Sequence, residues 1–256
     1  LERKWGVYYA MGGTGELINA FKKLMLEENI KIKVNSEVKK ILVDEKKVIG
    51  IELKNKKKVY SDIIISNADP AYLYSDMIDS RKGRWTKNKI EKLEFSMGLF
   101  VIYFGTKKKY HDVEHHTIWM GKRYRGLLRD IFYGDKLPED FSLYLHRPTA
   151  TDPNMAPKDC DSFYVLSPVP NLKAKINWES ESENYKNSIL DALEKTILPG
   201  LKKSLSTCFY LNPLDFKNDY LAKYGAGFSL SPIFKQSAWF RFHNKSENFK
   251  NLYITG

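Results

Sequence analysis

Two short segments carry residue types that suit ligand binding. Gly12-Gly13 stands directly before an amphipathic stretch that begins at Thr14. A glycine pair at the start of a helix lets a ligand approach the backbone closely, although a plain helix-entry turn has the same sequence. Ser66-Asn67-Ala68 follows the apolar run Ile63–Ile65. Open α/β sheets bind ligands at the carboxyl ends of their strands, so this segment is a second candidate.

Metal binding and nucleophilic catalysis have weaker support. His115 and His116 are adjacent, and neighbouring residues on a strand point to opposite faces. We therefore expect ordinary hydrogen-bonded histidines there, and no metal site. Cys160 and Cys208 lack the spacing of metal ligands, which predicts two unpaired thiols in a reducing compartment. The sequence has no nucleophile elbow, P-loop or paired-carboxylate motif, and no catalytic residue is assigned.

The elements that position the first two segments lie between residues 14 and 70. A helix with Thr14 as its cap is predicted from apolar residues at positions i, i+3, i+4 and i+7. Short runs rich in β-branched residues then predict four strands. The runs are Ile30–Val34, Val38–Val43, Val48–Leu53 and Ile63–Ile65. The last of them does not alternate, so it is predicted to be buried on both faces in a parallel sheet.

The remainder of the chain alternates between predicted helices and strands. Residues 71–240 are a mixed α+β region, in which Ser180 and Glu183 resemble a capping box at the start of a long helix. A returning strand is predicted over Leu252–Thr255. The pattern indicates a nucleotide-type α/β domain, residues 1–70, interrupted by a second domain, residues 71–240, and resumed over residues 241–256.

Composition limits the classes of partner. The chain has 256 residues, 43% of them apolar, which is enough for a substantial core. No run approaches the ~20 apolar residues that a membrane-spanning helix needs. The formal net charge is +11. No nucleic-acid-binding motif accompanies the lysines, so nucleic acid is not expected as a partner; a solvated Lys-rich surface and an anionic membrane surface stay open.

The order of several motifs resembles the flavin-containing amine-oxidase-like superfamily, and within it the bacterial-type phytoene desaturases of carotenoid biosynthesis. The matching stretches are Gly6–Gly15, Val38–Val43, Ser66–Asp69, Phe100–Gly105, His115–Thr117, Glu139–His146, Tyr164–Pro170 and Gln236–Arg241. The family's G-x-G-x-x-G fingerprint is not in this sequence, and its Gly-rich loop would begin at the final residue. We therefore expect an internal fragment of a longer flavoenzyme.

The resemblance implies a partial Rossmann-like FAD/NAD(P)-binding flavoprotein fold with a mixed α+β substrate domain. It also implies FAD contacts at Gly12, Gly13, Val38, Asn67, Ala68 and Gly256. Val38 would pair its backbone with the adenine, and a core valine is the alternative interpretation. Asn67 is equally suited to a turn before Pro70. Trp239, Phe240 and Arg241 would line a substrate tunnel or form a small aromatic core.

The implied function is an FAD-dependent oxidoreductase of CH–CH groups that desaturates phytoene or a related acyclic carotene. In such chemistry the flavin accepts a hydride and the protein positions the substrate. A carotene isomerase, ketolase or oxygenase on the same scaffold, and a non-enzymatic basic protein that docks on membranes, are the alternatives. A cytoplasmic enzyme peripherally attached to an anionic membrane is expected, with a quinone or oxygen as electron acceptor.

Overall fold

The computed structural model describes residues 2–255, which form ten strands in three sheets together with eight α-helices. The strands are β1 (Val38–Asp44), β2 (Lys47–Leu53), β3 (Lys58–Tyr60), β4 (Ile64–Ser66), β5 (Gly98–Thr106), β6 (His116–Trp119), β7 (Leu143–His146), β8 (Asp161–Val169), β9 (Leu205–Leu211) and β10 (Leu252–Ile254). The helices are α1 (Glu2–Trp5), α2 (Thr14–Glu27), α3 (Pro70–Tyr72), α4 (Lys87–Glu91), α5 (Tyr124–Tyr133), α6 (Trp178–Thr196), α7 (Leu201–Ser204) and α8 (Pro213–Asp219).

The largest sheet has five strands in the order β6-β7-β8-β5-β9, and every neighbouring pair is antiparallel. Because successive side chains alternate between the faces of a strand, one face can be apolar throughout. That inner face includes Phe100, Leu145 and Val165, which join the first core with Ile189 and Leu193 of α6. These five side chains are almost completely buried, so the inner face and α6 form a closed apolar layer.

The second core lies around two smaller sheets. Strands β1, β2 and β3 form an antiparallel meander, and β4 pairs in parallel with β10. This core contains Val48 and Leu252 from the sheets. It also contains Ala71, Trp85 and Ala226, which lie within the predicted 71–240 domain. The domain boundaries at residues 70 and 240 stay predictions. The second core contains residues from before and after each of these boundaries.

Most predicted elements are present. The helix from Thr14, the strands over Val38–Val43 and Val48–Leu53, and the returning strand near Leu252 are confirmed. The strand β3 was not predicted, because its three residues follow a lysine-rich turn and carry little apolar pattern. Cys160 and Cys208 are unpaired, as expected from their isolation in the sequence.

One strand prediction is wrong, and another is right about the strand and its parallel pairing but wrong about its burial. Ile30–Val34 forms no strand and has no sheet partner, and its β-branched side chains lie exposed. β-propensity expresses how well a side chain fits a pleated, half-buried surface, and no neighbouring strand provides such a surface here. Ile63–Ile65 does enter a parallel pair through β4, but Ile63 and Ile65 are 53% and 68% exposed. The predicted burial on both faces is therefore not found in the described residues.

Two cap predictions are also wrong. Thr14 is the first residue of α2, and the cap position belongs to Gly13, which makes no side-chain cap bond. For α6, Asn177 is the cap and accepts a hydrogen bond from the backbone N–H of Ser180, so the helix begins before the predicted Ser180 capping box. A capping box does occur at α8, where Asn212 and Asp215 exchange hydrogen bonds with each other's backbone.

A search of the helices in residues 2–255 for one that is long and apolar enough to cross a membrane finds none.

An ion pair between Asp76 and Lys223 joins the segment that follows α3 to a loop distant in sequence. Lys223 Nζ lies 2.8 Å from Asp76 Oδ2 and 2.9 Å from Ser75 Oγ, and the backbone N–H of Lys223 donates to Asp69. Burial alone would raise the pKa of the Asp76 carboxyl, but the hydrogen bonds from Lys223 and Ser75 outweigh it and the pKa is lowered.

We expect this contact to stabilise the protein at neutral pH and to fade in acid. Because the folded-state pKa of Asp76 lies below its ordinary value of 3.8, the stabilisation is present above that value and is lost as pH falls through the folded pKa. Asp76→Asn should lower the free energy of unfolding by about 0.5–1 kcal/mol at pH 7, and by less at pH 3. Urea unfolding at both pH values, with the exposed Asp79→Asn as control, measures this. A pH-independent difference would contradict it.

Candidate functional site

The outer face of the five-stranded sheet carries a continuous row of rings, one from each strand. Register places His116 opposite His146, His146 opposite Tyr164, Tyr164 opposite Tyr103 and Tyr103 opposite Phe209. The centroids of successive rings are 5.4, 4.5, 5.9 and 5.1 Å apart. With ~4.8 Å between strands, the row spans roughly 19 Å. We call these five residues the aromatic row.

The aromatic row is largely uncharged at neutral pH. Burial raises the pKa of Tyr164, and its hydrogen bond with Tyr144 raises it further; burial also raises the pKa of Tyr103. Burial lowers the pKa of His146 to about 4, with the neighbouring charges of His115 and His116 adding to the effect. A flat, uncharged strip of this kind can hold a long apolar molecule by stacking, without polar groups that would need partners.

Three histidines meet at one end of the row. His115 Nε2 lies 2.9 Å from His146 Nε2, and the rings of His115 and His116 are 4.4 Å apart. The expectation that His115 and His116 face opposite sides is wrong. Strand β6 begins at His116, so His115 precedes the strand and the alternation of side chains does not constrain it. His115, His116 and His146 are the histidine cluster.

A buried ionic network fixes the backbone beside the histidine cluster. Asp161 accepts hydrogen bonds from Arg147 Nη1 at 3.2 Å, from Thr149 Oγ1 at 2.6 Å and from the backbone N–H of Tyr110 at 2.8 Å. The Asp161 side chain is 1% exposed and that of Arg147 is 9% exposed. The backbone N–H of Arg147 in turn donates to the carbonyl oxygen of His115, which ties the two histidine-bearing segments together.

The predicted Gly12-Gly13 site lies against the same end of the sheet. The Gly12 N–H donates to Asp152 Oδ2 at 2.7 Å, and a Cβ built on Gly13 would lie 3.1 Å from Met155 Cε. Both glycines have φ near +80°, a conformation that L side chains rarely adopt. Tyr9 packs edge-on against the His115 ring at 4.7 Å. The structure thus brings this candidate cofactor segment beside the aromatic row.

The other predicted cofactor residues lie by the second core. Val38 is half-buried at the start of β1 and packs against that core. Asn67 and Ala68 follow β4, as predicted, and Asn67 Nδ2 donates to the carbonyl oxygen of Thr255 at 2.9 Å. This bond joins the ends of the two parallel strands. Gly256 lies outside the described residues.

The predicted tunnel residues lie in a short turn on the surface of the second core. Trp239 is 72% exposed, and its carbonyl oxygen accepts hydrogen bonds from Arg84 Nη2 and from His243 Nε2. Phe240 packs near Phe234, and Arg241 is half-buried. The roles of Trp239, Phe240 and Arg241 as tunnel residues stay predictions.

The aromatic row was not predicted from the sequence. A signal for it exists, since Tyr103, His146, Tyr164 and Phe209 all occupy strand positions that alternate with core residues. Alternation shows which residues share a face of one strand. Register between distant strands decides which of them become neighbours, and that information is not local in the sequence.

The chain is similar along its whole length to several curated proteins. It is 44% identical to a neurosporene-forming phytoene desaturase of Rhodobacter capsulatus over 263 residues, and 40% identical to a lycopene-forming phytoene desaturase of Pseudescherichia vulneris over 258 residues. It is 30% identical to a 4,4'-diapophytoene desaturase of Methylomonas sp. Each match covers all of this chain and 50–52% of the relative. The chain is thus similar, over its whole length, to about half of each of these desaturases.

The predicted resemblance is thereby confirmed over a chain that spans about half the length of these relatives. A scan against protein-family models gives no match. Among solved structures, an oxidoreductase from Methanosarcina mazei superposes with a TM-score of 0.63 at 16% identity, covering 96% of this chain and 49% of that one. A putrescine oxidase variant gives a TM-score of 0.56 at 11% identity, covering 96% and 47%. The predicted partial Rossmann-like fold with a mixed α+β domain is confirmed by these matches.

The buried Asp161 network should be more important for stability than any exposed ion pair. Asp161→Asn removes the charge that compensates Arg147 in a site that water does not reach, so we expect the free energy of unfolding to fall by about 3–5 kcal/mol. Glu37→Gln, which removes an exposed pair with Lys54, should cost less than about 1 kcal/mol. Urea unfolding curves compare the two variants with the wild type. Equal losses would show that the network does not hold this end of the sheet.

Proposed function

We propose that this protein takes part in FAD-dependent desaturation of phytoene or a related acyclic carotene. The observation that carries the proposal is the identity of 38–44% along the whole chain to five proteins named phytoene desaturases. The aromatic row supports it, because a hydrocarbon without polar groups is best held by stacked, uncharged rings. No observation favours an isomerase, ketolase or oxygenase.

The residues near the glycine pair fit a flavin. Gly12 and Gly13 present backbone without side chains at the start of α2, and no side chain makes a cap hydrogen bond there. The N-terminus of a 14-residue helix favours negatively charged groups through its dipole and free N–H groups. Bound FAD would supply the hydride acceptor for the reaction. Val38, Asn67, Ala68 and Gly256 are proposed as further contacts with it.

The chain's own residues would position the substrate and exclude water. The aromatic row would hold the polyene flat on the sheet, and its low polarity would keep water from the reacting carbons. One carbon loses a hydride and its neighbour loses a proton, so a C=C bond forms. Trp239, Phe240 and Arg241 are proposed to border the path by which the hydrocarbon enters. A quinone or oxygen is proposed to take up the electrons afterwards.

Pigment analysis tests this function together with the role of the row. In cells that accumulate phytoene, the complete gene product should produce coloured carotenes and, when purified, should show flavin absorbance. Tyr164→Ser should reduce conversion about fivefold or more, since stacking on one ring contributes ~1 kcal/mol or more. Tyr164→Phe should retain conversion, because the ring and not the hydroxyl makes the contact.

Tyr133→Ser is the matched control, since Tyr133 is 77% exposed on α5 and outside the row. Colourless phytoene in cells that contain the flavin-loaded wild-type protein would reject the proposed function. Equal conversion by Tyr164→Ser and wild type would reject the role of the aromatic row alone.

We also propose that the protein works in the cytoplasm, peripherally attached to an anionic membrane. A long carotene is confined to the bilayer, and 42 Lys and Arg against 31 Asp and Glu favour a negatively charged leaflet. The complete protein should co-sediment with anionic liposomes, and less with neutral ones. Added salt should weaken the binding without abolishing it, because apolar contacts add a salt-insensitive part. Binding that is independent of lipid charge would remove the electrostatic contribution, and no binding to either would remove the assignment.

A further inference from the structure

The histidine cluster has the composition and proximity of a metal site. His115, His116 and His146 each offer one ring nitrogen, and these three atoms lie within 4.8 Å of one another. Zinc–imidazole bonds are about 2.0–2.1 Å long, so two nitrogens on a tetrahedral ion lie roughly 3.3 Å apart. The 2.9 Å between His115 Nε2 and His146 Nε2 is already near that separation. Small rotations of the side chains would bring the ring nitrogen of His116 to the same distance from a shared ion.

We propose that His115, His116 and His146 bind one divalent transition-metal ion. The proposal is independent of the desaturase function, since it rests on the geometry of these rings alone. Three imidazoles suit borderline ions such as Zn²⁺, Co²⁺ and Fe²⁺, and disfavour Mg²⁺ and Ca²⁺, which prefer oxygen. A three-histidine set leaves at least one position of a tetrahedral ion open.

The outer contacts of the rings match those of ligating histidines. A metal-bound imidazole usually holds its second nitrogen in a hydrogen bond, which fixes the orientation of the ring. His116 Nδ1 lies 2.6 Å from the Tyr144 hydroxyl, and His115 Nδ1 is hydrogen-bonded to Thr151 Oγ1. In both rings Nε2 is therefore the nitrogen that would face the ion, and in His115 this atom now contacts His146 Nε2. His146 Nδ1 is buried without a hydrogen-bond partner among the described residues, so its second nitrogen has no such support.

The charges around the cluster are compatible with a bound cation. Arg147, whose backbone N–H donates to the carbonyl oxygen of His115, is the positive charge nearest in sequence to His146, and it is compensated by the buried carboxylate of Asp161. On the other side, the carboxylate of Asp152 accepts a hydrogen bond from the Gly12 N–H, close to Tyr9, whose ring packs on His115. The imidazoles must be neutral to bind a metal.

The position of the site is also informative. His116 and His146 are the first two members of the aromatic row, and His116 is exposed. An ion bound here would sit at one end of the row, next to the Gly12-Gly13 turn, and would be reachable from solvent. It would hold β6 and β7 together with the loop that precedes β6.

Cobalt titration tests the site directly. The untagged complete gene product, stripped with a chelator and dialysed, should bind one Co²⁺ per chain with visible absorption bands typical of cobalt in a nitrogen site. Zn²⁺ should displace it and bleach the bands. His116→Ala should lose the bands, and this exposed residue can be replaced without opening a core. Tyr144→Phe should weaken binding by roughly 10–100-fold, as expected for loss of an outer hydrogen bond.

His111→Ala is the matched control, because His111 is an exposed histidine of the same segment outside the cluster. It should bind Co²⁺ as the wild type does. Circular dichroism of each variant confirms that it is folded. Failure of the folded wild type to bind Co²⁺ at micromolar concentrations would overturn the proposal, as would binding by His116→Ala that equals that of the wild type. Neither result would depend on desaturase activity.

Discussion

The register of the five-stranded sheet is the constraint on which the rest of this structure depends. β5 lies between β8 and β9 and pairs with both over most of its length. Because side chains alternate along each strand, that register decides at once which residues are buried under α6 and which form the aromatic row. A shift of one residue in any pair would exchange the two faces, placing tyrosines in the core and apolar core residues on the surface.

The two faces of the sheet have different requirements. The inner face is stabilised by the burial of large apolar side chains. Such a core best tolerates substitutions between apolar residues that conserve the total volume. The outer face depends on directional contacts: ring against ring, and imidazole against hydroxyl. The buried ion pair of Arg147 and Asp161 joins the residue that follows β7 to the first residue of β8, and so fixes the backbone next to His146.

The local sequence pattern predicted a strand correctly where its partner strand is close to it in the sequence. The meander of β1 and β2 is an example, because a short charged turn joins two β-branched runs and sets their register. Ile30–Val34 has the same composition but no strand beside it, and it forms no strand and stays exposed. A run of β-branched residues is therefore compatible with a strand, but it forms a strand only where a neighbouring strand supplies hydrogen-bond partners.

The sequence by itself indicated the resemblance to phytoene desaturases, most of the helices and strands between residues 14 and 66, and a glycine turn at positions 12 and 13. These depend on residue types at short spacing, such as Gly12 and Gly13 with their positive φ. The tertiary structure alone decided that His115 and His116 meet His146, about 30 residues later, and that Tyr103, Tyr164 and Phe209 stand side by side. The physical reason is that distant strands are paired by hydrogen bonds between their backbones. Every residue type has the same backbone groups, so these bonds leave no local signal in the sequence that shows which strands pair.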